Sequence, residues 1–246
     1  QTQWEVISRF LYRVSTGVTD PILGMDSGFY LFTLPFLDSL HVLLIILVML
    51  SLGILLAGTY FRWEKDKINF HDPDRTRADT LRMMRSIYTA AAALALVLAF
   101  GKYLARYHLL FSTMGVVTGA SWTDVTIRLP AYGVSIALAI IAAVLLIMPR
   151  KTGQWLGSGQ SNTPTGTAPG IAPGIKIYAG LAVLWLIILS AVPGLFQWLR
   201  VEPNEITFEK PYIANNIRFT RLGFGLDDVE EREYPVTDTF NREIVE

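Results

Sequence analysis

The chain has no cysteine. That excludes disulfides, thiolate nucleophiles and cysteine-ligated zinc or iron–sulfur centres, and it leaves the compartment open. Charge is scarce: Asp, Glu, Lys and Arg make up 17% of 246 residues, against about 25% in soluble domains. There are only three histidines. No phosphate loop, nucleophile elbow, His-Glu-x-x-His zinc motif or dinucleotide fingerprint occurs. The sequence therefore offers no catalytic residue, no expected cofactor and no nucleic-acid partner.

What is present is apolar length. Residues 42–60, 86–101, 129–149 and 177–199 are apolar and free of charge. A helix needs roughly 20 such residues to cross about 30 Å of hydrocarbon, and only a helix or closed barrel satisfies its backbone there. The expectation is an all-α integral membrane protein with four transmembrane helices at about 38–61, 84–104, 129–149 and 177–199. An N-terminal interfacial segment, 1–37, precedes the membrane domain 38–199. Residues 200–246 begin an extracytoplasmic segment, with 6 basic against 11 acidic residues.

Residues 1–16 carry Trp4, Ile7, Phe10, Leu11 and Val14 at helical spacing, with Arg9 and Arg13 opposite, which suits a helix in the headgroup plane. Thr19-Asp20-Pro21 and Gly24 mark turns. Phe29 to Phe32 with Pro35-Phe36 then read as an aromatic belt. Residues 62–85 form a basic connection, and Arg85 and Lys102 are expected to snorkel to the two interfaces of a short second span. Residues 102–128 form another connection, and Pro130 suits the first turn of the third span. Gly, Ser, Thr and Pro dominate 157–174, a flexible linker. Pro193-Gly194 should loosen the fourth span and free the carbonyl of Leu189. Basic residues concentrate at 62–85 and 150–176, which places those connections in the cytoplasm and both ends of the chain outside. An N-out start at Gln1 without a signal peptide calls for an odd number of spans upstream.

Small residues recur every fourth position as Ala91, Ala95 and Ala99, and as Ser135, Ala139 and Ala143. Such ladders let helices approach closely in lipid. Asp38 and His41 share a helix face at the start of the first span. This polar pair suits a hydrated boundary, with proton relay, or a metal or chlorin at His41, as the alternative. His71, Asp72, Asp74 and Asp79 lack the glycine and bidentate glutamate of a calcium loop. The acidic run from Asp227 to Glu233 reads as a solvated face.

The most specific text follows the fourth span: Val201-Glu202-Pro203-Asn204-Glu205, Glu209-Lys210-Pro211-Tyr212-Ile213, Asn215-Asn216-Ile217, Thr220-Arg221 and Glu230-Glu231-Arg232-Glu233-Tyr234-Pro235-Val236. Upstream stand Gly17-Val18-Thr19-Asp20-Pro21 with Gly24, Phe29-Tyr30-Leu31-Phe32 with Leu34-Pro35, and Gly119-Ala120-Ser121-Trp122-Thr123-Asp124 with Leu129-Pro130. Taken in order, this set resembles a prokaryotic membrane family catalogued as uncharacterised protein family 0182. The resemblance implies three further spans upstream and a large extracytoplasmic domain downstream. It carries no activity to particular residues.

Physically, Pro203 and Pro211 favour extended or turn geometry. Pro203, Asn204, Glu205, Pro211, Tyr212, Asn216 and Arg221 then read as a neck, ending in a short helix with Asn216 and Arg221 open to hydrogen bonding. The expected role is a structural or assembly subunit in the prokaryotic cell membrane. Its partners would be the lipid bilayer and other membrane proteins, or the remainder of a longer chain. Alternatives are a component of a transporter or envelope-factor exporter, and the membrane anchor of an enzyme whose site lies in an outer domain.

Overall fold

The computed structural model describes residues 3–68, 73–113, 115, 117–148, 180–226 and 229; for 63 and 65–84 the description is of the backbone alone. The linker 157–174, His71, Asp72 and the acidic run apart from Val229 lie outside the described residues. Among the described residues the chain is helical and without strands, apart from one isolated bridge between Thr19 and Asp26. Four helical stretches are long and apolar enough to cross a membrane: Phe29–Arg62, Arg85–Phe111, Asp124–Ile147 and Gly180–Gly223.

We label α1 Gln3–Leu11, α2 Leu34–Ile68, α3 Pro73–His108, α4 Leu129–Ile147, α5 Val192–Phe196 and α6 Glu205–Gly223. The helices outrun the apolar runs. Residues 62–85, read as a connection, are helical up to Ile68 and again from Pro73. The helix of α3 continues past Lys102 to His108 and tightens into a 3-10 turn, Leu109–Phe111. In contrast, α1 stops at Leu11, so Val14 lies outside it. Phe10 leaves the apolar face expected to meet headgroups and stacks on Phe36, with ring centroids 4.1 Å apart. Trp4, Ile7, Leu11 and Val14 stay exposed.

Among the described residues four wide π-turns interrupt the helices, at Phe29–Thr33, Asp124–Arg128, Ile187–Ala191 and Gln197–Val201. Each has a proline four residues beyond its central residue: Pro35, Pro130, Pro193 and Pro203. Proline has no N–H for the carbonyl four residues earlier, so Leu31, Thr126, Leu189 and Leu199 lose their ordinary partner. The turn widens so that a carbonyl reaches the fifth residue on. The loosening expected around Leu189 thus takes the form of a π-turn. Pro130, expected in the first turn of its helix, follows a π-turn that already belongs to the helix.

Helices α3 and α4 pack along their length. On α4 the small-residue face is buried at Ala131, Ser135 and Ala143, with Ala139 half-buried. Among the alanines of α3, Ala92 and Ala99 are buried, and Ala91 and Ala95 are both half-buried. Seven-residue recurrence suits the shallow crossing angle of most membrane helix pairs.

The apolar core sits at one end of the bundle. Leu34, Leu104 and Tyr107 form it, with Phe29, Tyr30, Leu37 and Phe100 packed around. Phe29 and Tyr30, expected in an interfacial belt, turn inward instead. Phe29 lies 4.8 Å from Tyr107 and Tyr30 lies 6.2 Å from Phe111, centroid to centroid. Lys102, expected to snorkel to an interface, is partly buried, with Nζ 5.2 Å from the ring of Trp185 and 5.8 Å from that of Tyr132. Ring faces stabilise a cation held away from water.

Candidate functional site: the capped end of the bundle

The motifs after residue 200 and those near residues 20 and 120 are far apart in sequence and meet at this end. The first piece is the loop between α1 and the π-turn at Phe29–Thr33. Asp20, buried, accepts from the backbone N–H groups of Ile22 at 3.1 Å and Leu23 at 2.5 Å, and from the hydroxyl of Tyr30 at 3.2 Å. Asp26 accepts from the Ser15 hydroxyl at 2.7 Å and the backbone N–H groups of Thr16, Gly17 and Gly28 at 3.1, 3.0 and 2.6 Å. The Ser15 hydroxyl and then the backbone donors, of which Thr16 is the strongest, hold the Asp26 carboxyl well below the usual carboxylate range. Gly17 and Gly24 have φ of 73° and 69°, a region costly for residues with a Cβ. The resembling motif at 17–24 is therefore a folded turn.

The second piece opens the helical stretch leading into α4. Ser121 and Asp124, both buried, make a reciprocal capping box. The Asp124 carboxylate accepts from the Ser121 N–H at 3.1 Å and its hydroxyl at 3.0 Å, while the Asp124 N–H donates to the Ser121 hydroxyl at 3.2 Å. The other Asp124 oxygen pairs with Arg128 at 2.7 Å, and Arg128 also donates to the Tyr132 hydroxyl at 3.2 Å. The Asp124 carboxylate complements the positive end of the helix.

The third piece is the neck. The buried carboxylate of Glu209 on α6 accepts from the Trp122 N–H at 3.2 Å. It thus satisfies one of the amides left unpaired at a helix N-terminus. The Thr123 hydroxyl donates to the side-chain oxygen of Gln197, and both groups are buried. Asn216 Nδ2 donates to the carbonyl of Thr118 at 2.7 Å, and the rings of Trp122 and Phe208 lie 4.8 Å apart.

The neck is therefore docked on residues 118–123. Of the extended or turn geometry expected at its two prolines, the turn is found at Pro203 and neither at Pro211. Pro203 lies in a 3-10 turn, Glu202–Asn204, with Asn204 at the bend and Glu205 in the first turn of α6. Pro211 lies inside α6, not in extended chain. It leaves the carbonyl of Thr207 without its helical donor, a small cost at an exposed residue. Arg221 closes the last turn of α6 and is half-buried.

Beside this cap, α2, α3 and α4 enclose a polar crevice of about 320 Å³ lined by Asp38, His41, Gly101, His108, Arg128 and Tyr132, among others. The expected pair of Asp38 and His41 is split between two partners on α3. Asp38 meets His108 Nε2 at 2.9 and 3.0 Å. His41 Nε2 lies 3.1 Å from the carbonyl of Val97. A carbonyl only accepts, so Nε2 carries the proton there. A metal or chlorin ligated through that nitrogen would have to displace this bond. Gly101 makes room for the ring: a Cβ there would lie 2.5 Å from His41 Cε1 and Nε2. Among the described residues no group of three His, Asp or Glu side chains could hold a metal ion.

His108, Arg128, Asp124, Gln197 and Glu209 are the residues whose roles sequence reasoning missed. A Ser-x-x-Asp box with Arg four residues after the aspartate was readable. Nothing local marks His108, Gln197 or Glu209, because their partners lie 70, 74 and 87 residues away.

The comparisons agree with the motifs. A UPF0182 protein of Synechococcus sp. (strain JA-3-3Ab) is 36% identical over 245 residues, covering 99% of this chain and 28% of its own length. UPF0182 proteins of Pelobacter propionicus and Kocuria rhizophila are 35% and 32% identical, over 95% and 96% of this chain. The chain spans about a quarter of the length of these curated relatives, between 22% and 28%. No solved structure matches it. The family model of UPF0182, an uncharacterised protein family, matches residues 1–246, and the chain belongs to that family.

Proposed function

We propose that this chain is a membrane-embedded assembly subunit of the prokaryotic cell membrane, with the capped end facing outward. The observation that carries the reading is the interlocked cap. The neck is fastened to residues 118–123, before α4, by Glu209–Trp122, Gln197–Thr123 and Asn216–Thr118, which makes this end of the bundle a fixed platform. The middle stretches of the spans are uncharged, with Asp38, Lys102 and Arg128 at or beyond their ends. No Asp, Glu, Lys or Arg stands between Asp38 and Arg62, between Arg85 and Lys102, or in 129–149 and 180–199, whereas substrate and ion routes are usually marked by one. The excess of Lys and Arg at 62–85 and 150–176 supports the outward orientation of the other end.

Two measurements test this. Gentle solubilisation of native membranes should retain stoichiometric membrane or envelope proteins, lost when Asn216→Ala and Glu209→Ala loosen the cap. A monodisperse protein with no partner would refute the assembly role. Because the chain has no cysteine, single thiols at Gly166→Cys and Asp227→Cys report orientation without background. Labelling of the first from the cytoplasm and the second from outside is expected, and the reverse pattern overturns the topology.

A further inference from the structure

A second cavity, of about 330 Å³, lies on the other side of the cap, between the 20–31 segment, residues 110–120 and α6. Its walls include Ile22, Tyr30, Leu110, Phe111, Val117 and Phe219. Ligand pockets are mostly apolar, about 300–1,000 Å³, with a few polar groups that orient the occupant. This one stands at the small end of that range, with room for part of one chain and not for a two-tailed molecule.

Its electrostatics narrow the occupant. Asp20 is the only charged side chain among the lining residues, and its carboxylate is already engaged by Ile22, Leu23 and Tyr30. No cation lines the cavity to receive an anionic head. Asn216 is committed to Thr118. Its neighbour Asn215 also lines the cavity and has no hydrogen-bond partner among the described residues. Its amide offers two donors and an acceptor at the edge of an otherwise apolar space. Leu31 and Phe111, lining residues that are 59% and 56% exposed, stand where the first two spans end. Exposed apolar residues at the span ends thus border the cavity, and α2 carries further exposed apolar residues at Val42, Leu43 and Ile46.

We infer that this cavity holds one acyl chain of a membrane lipid, with the lipid's ester carbonyl hydrogen-bonded by Asn215. The site goes beyond the assembly role and does not depend on it. The headgroup would remain outside the cavity, so its charge would not decide binding.

The test is photolabelling of the whole chain in nanodiscs. The probe is phosphatidylcholine with a diazirine at the end of one acyl chain, and phosphatidylglycerol with the same label forms a parallel arm. Crosslinked peptides should fall within 110–120 and 212–219, at about one lipid per protein and equally for both headgroups. Ala120→Phe and Val117→Trp, which each fill the cavity from the 110–120 wall, should each abolish that crosslink while labelling of the α2 flank persists. Asn215→Leu should weaken it about fivefold, as expected for one ordinary hydrogen bond. Labelling confined to the α2 flank overturns the proposal, as does labelling of the cavity peptides that both filling variants leave intact. A strong preference for one headgroup overturns it as well. Persistent labelling of the α2 flank in each variant reports that the bundle is still inserted, so a lost cavity crosslink is not a folding artefact.

Discussion

Gly101→Ala should destabilise the protein, although alanine is about 1 kcal/mol better than glycine in a helix interior. The reversal comes from His41. An added Cβ would lie 2.5 Å from the ring atoms Cε1 and Nε2, well inside van der Waals contact. The ring is held by Val97 at 3.1 Å and by an edge contact with Phe100 at 5.9 Å, so it moves only by losing both. A hydrogen bond within a membrane bundle averages about 0.6 kcal/mol and reaches about 1.7, and overpacking adds about 1–3 kcal/mol. After subtracting the helical gain, the net loss should be about 1–3 kcal/mol. In a His41→Ala background the obstacle is gone, and Gly101→Ala should then stabilise by up to about 1 kcal/mol. The assay is a four-variant cycle of reversible unfolding in bicelles, with a coupling of at least about 1.5 kcal/mol expected for groups in contact. Stabilisation by Gly101→Ala in the unmodified chain would refute the reasoning, and so would additivity within about 0.5 kcal/mol.

The remaining predictions concern the cap and the crevice. Glu209→Ala should cost about 1–3 kcal/mol, because it strands a helix amide that Glu209→Gln can still satisfy through its carbonyl oxygen; thermal unfolding in detergent separates the two. Asn216→Ala should raise hydrogen exchange of residues 117–120 without altering that of α2, since its bond to Thr118 ties α6 to that segment alone. The depressed carboxyl of Asp26 stabilises the N-terminal loop above the unfolded value of about 3.9. That contribution is lost as pH falls through this value toward the folded one. Hydrogen exchange at residues 14–28 should therefore stay slow from pH 8 to 5 and rise below about pH 4, while Asp26→Asn should be open at pH 7. Asp38→Asn should cost under about 1 kcal/mol, because both partners of the Asp38–His108 pair are partly exposed. A cycle with His108→Gln would contradict this reading if it showed a larger coupling.

Much of the helical architecture was legible because its causes are local. The length of an uncharged run decides whether a helix can span hydrocarbon, and four runs were long enough. Proline acts on the carbonyl four residues behind it, so Pro193 announced the disturbance at Leu189, and the same rule accounts for the turns before Pro35, Pro130 and Pro203. The small faces of α3 and α4 were visible as a four-residue recurrence, although Ala92, outside that ladder, is also buried on α3. Rotation of a helix about its axis is chosen by what it packs against.

What the sequence alone determined was an all-helical chain with four membrane-length spans, its membership signalled by ordered motifs. The tertiary structure decided where side chains found partners. Asp38 and His41 share a helix face, yet each has its partner on α3, because the antiparallel return of that helix offers His108 to one and the carbonyl of Val97 to the other. In sequence the neck offered Asn216 and Arg221 for hydrogen bonds but not their partners. It is docked because a helix start at Trp122 leaves amides unpaired, and Glu209, 87 residues later, brings a buried carboxylate to one of them. Periodicity and chain length act over a few turns and can be read directly. Satisfaction of buried polar groups acts across the whole fold, and only the folded chain shows which groups meet.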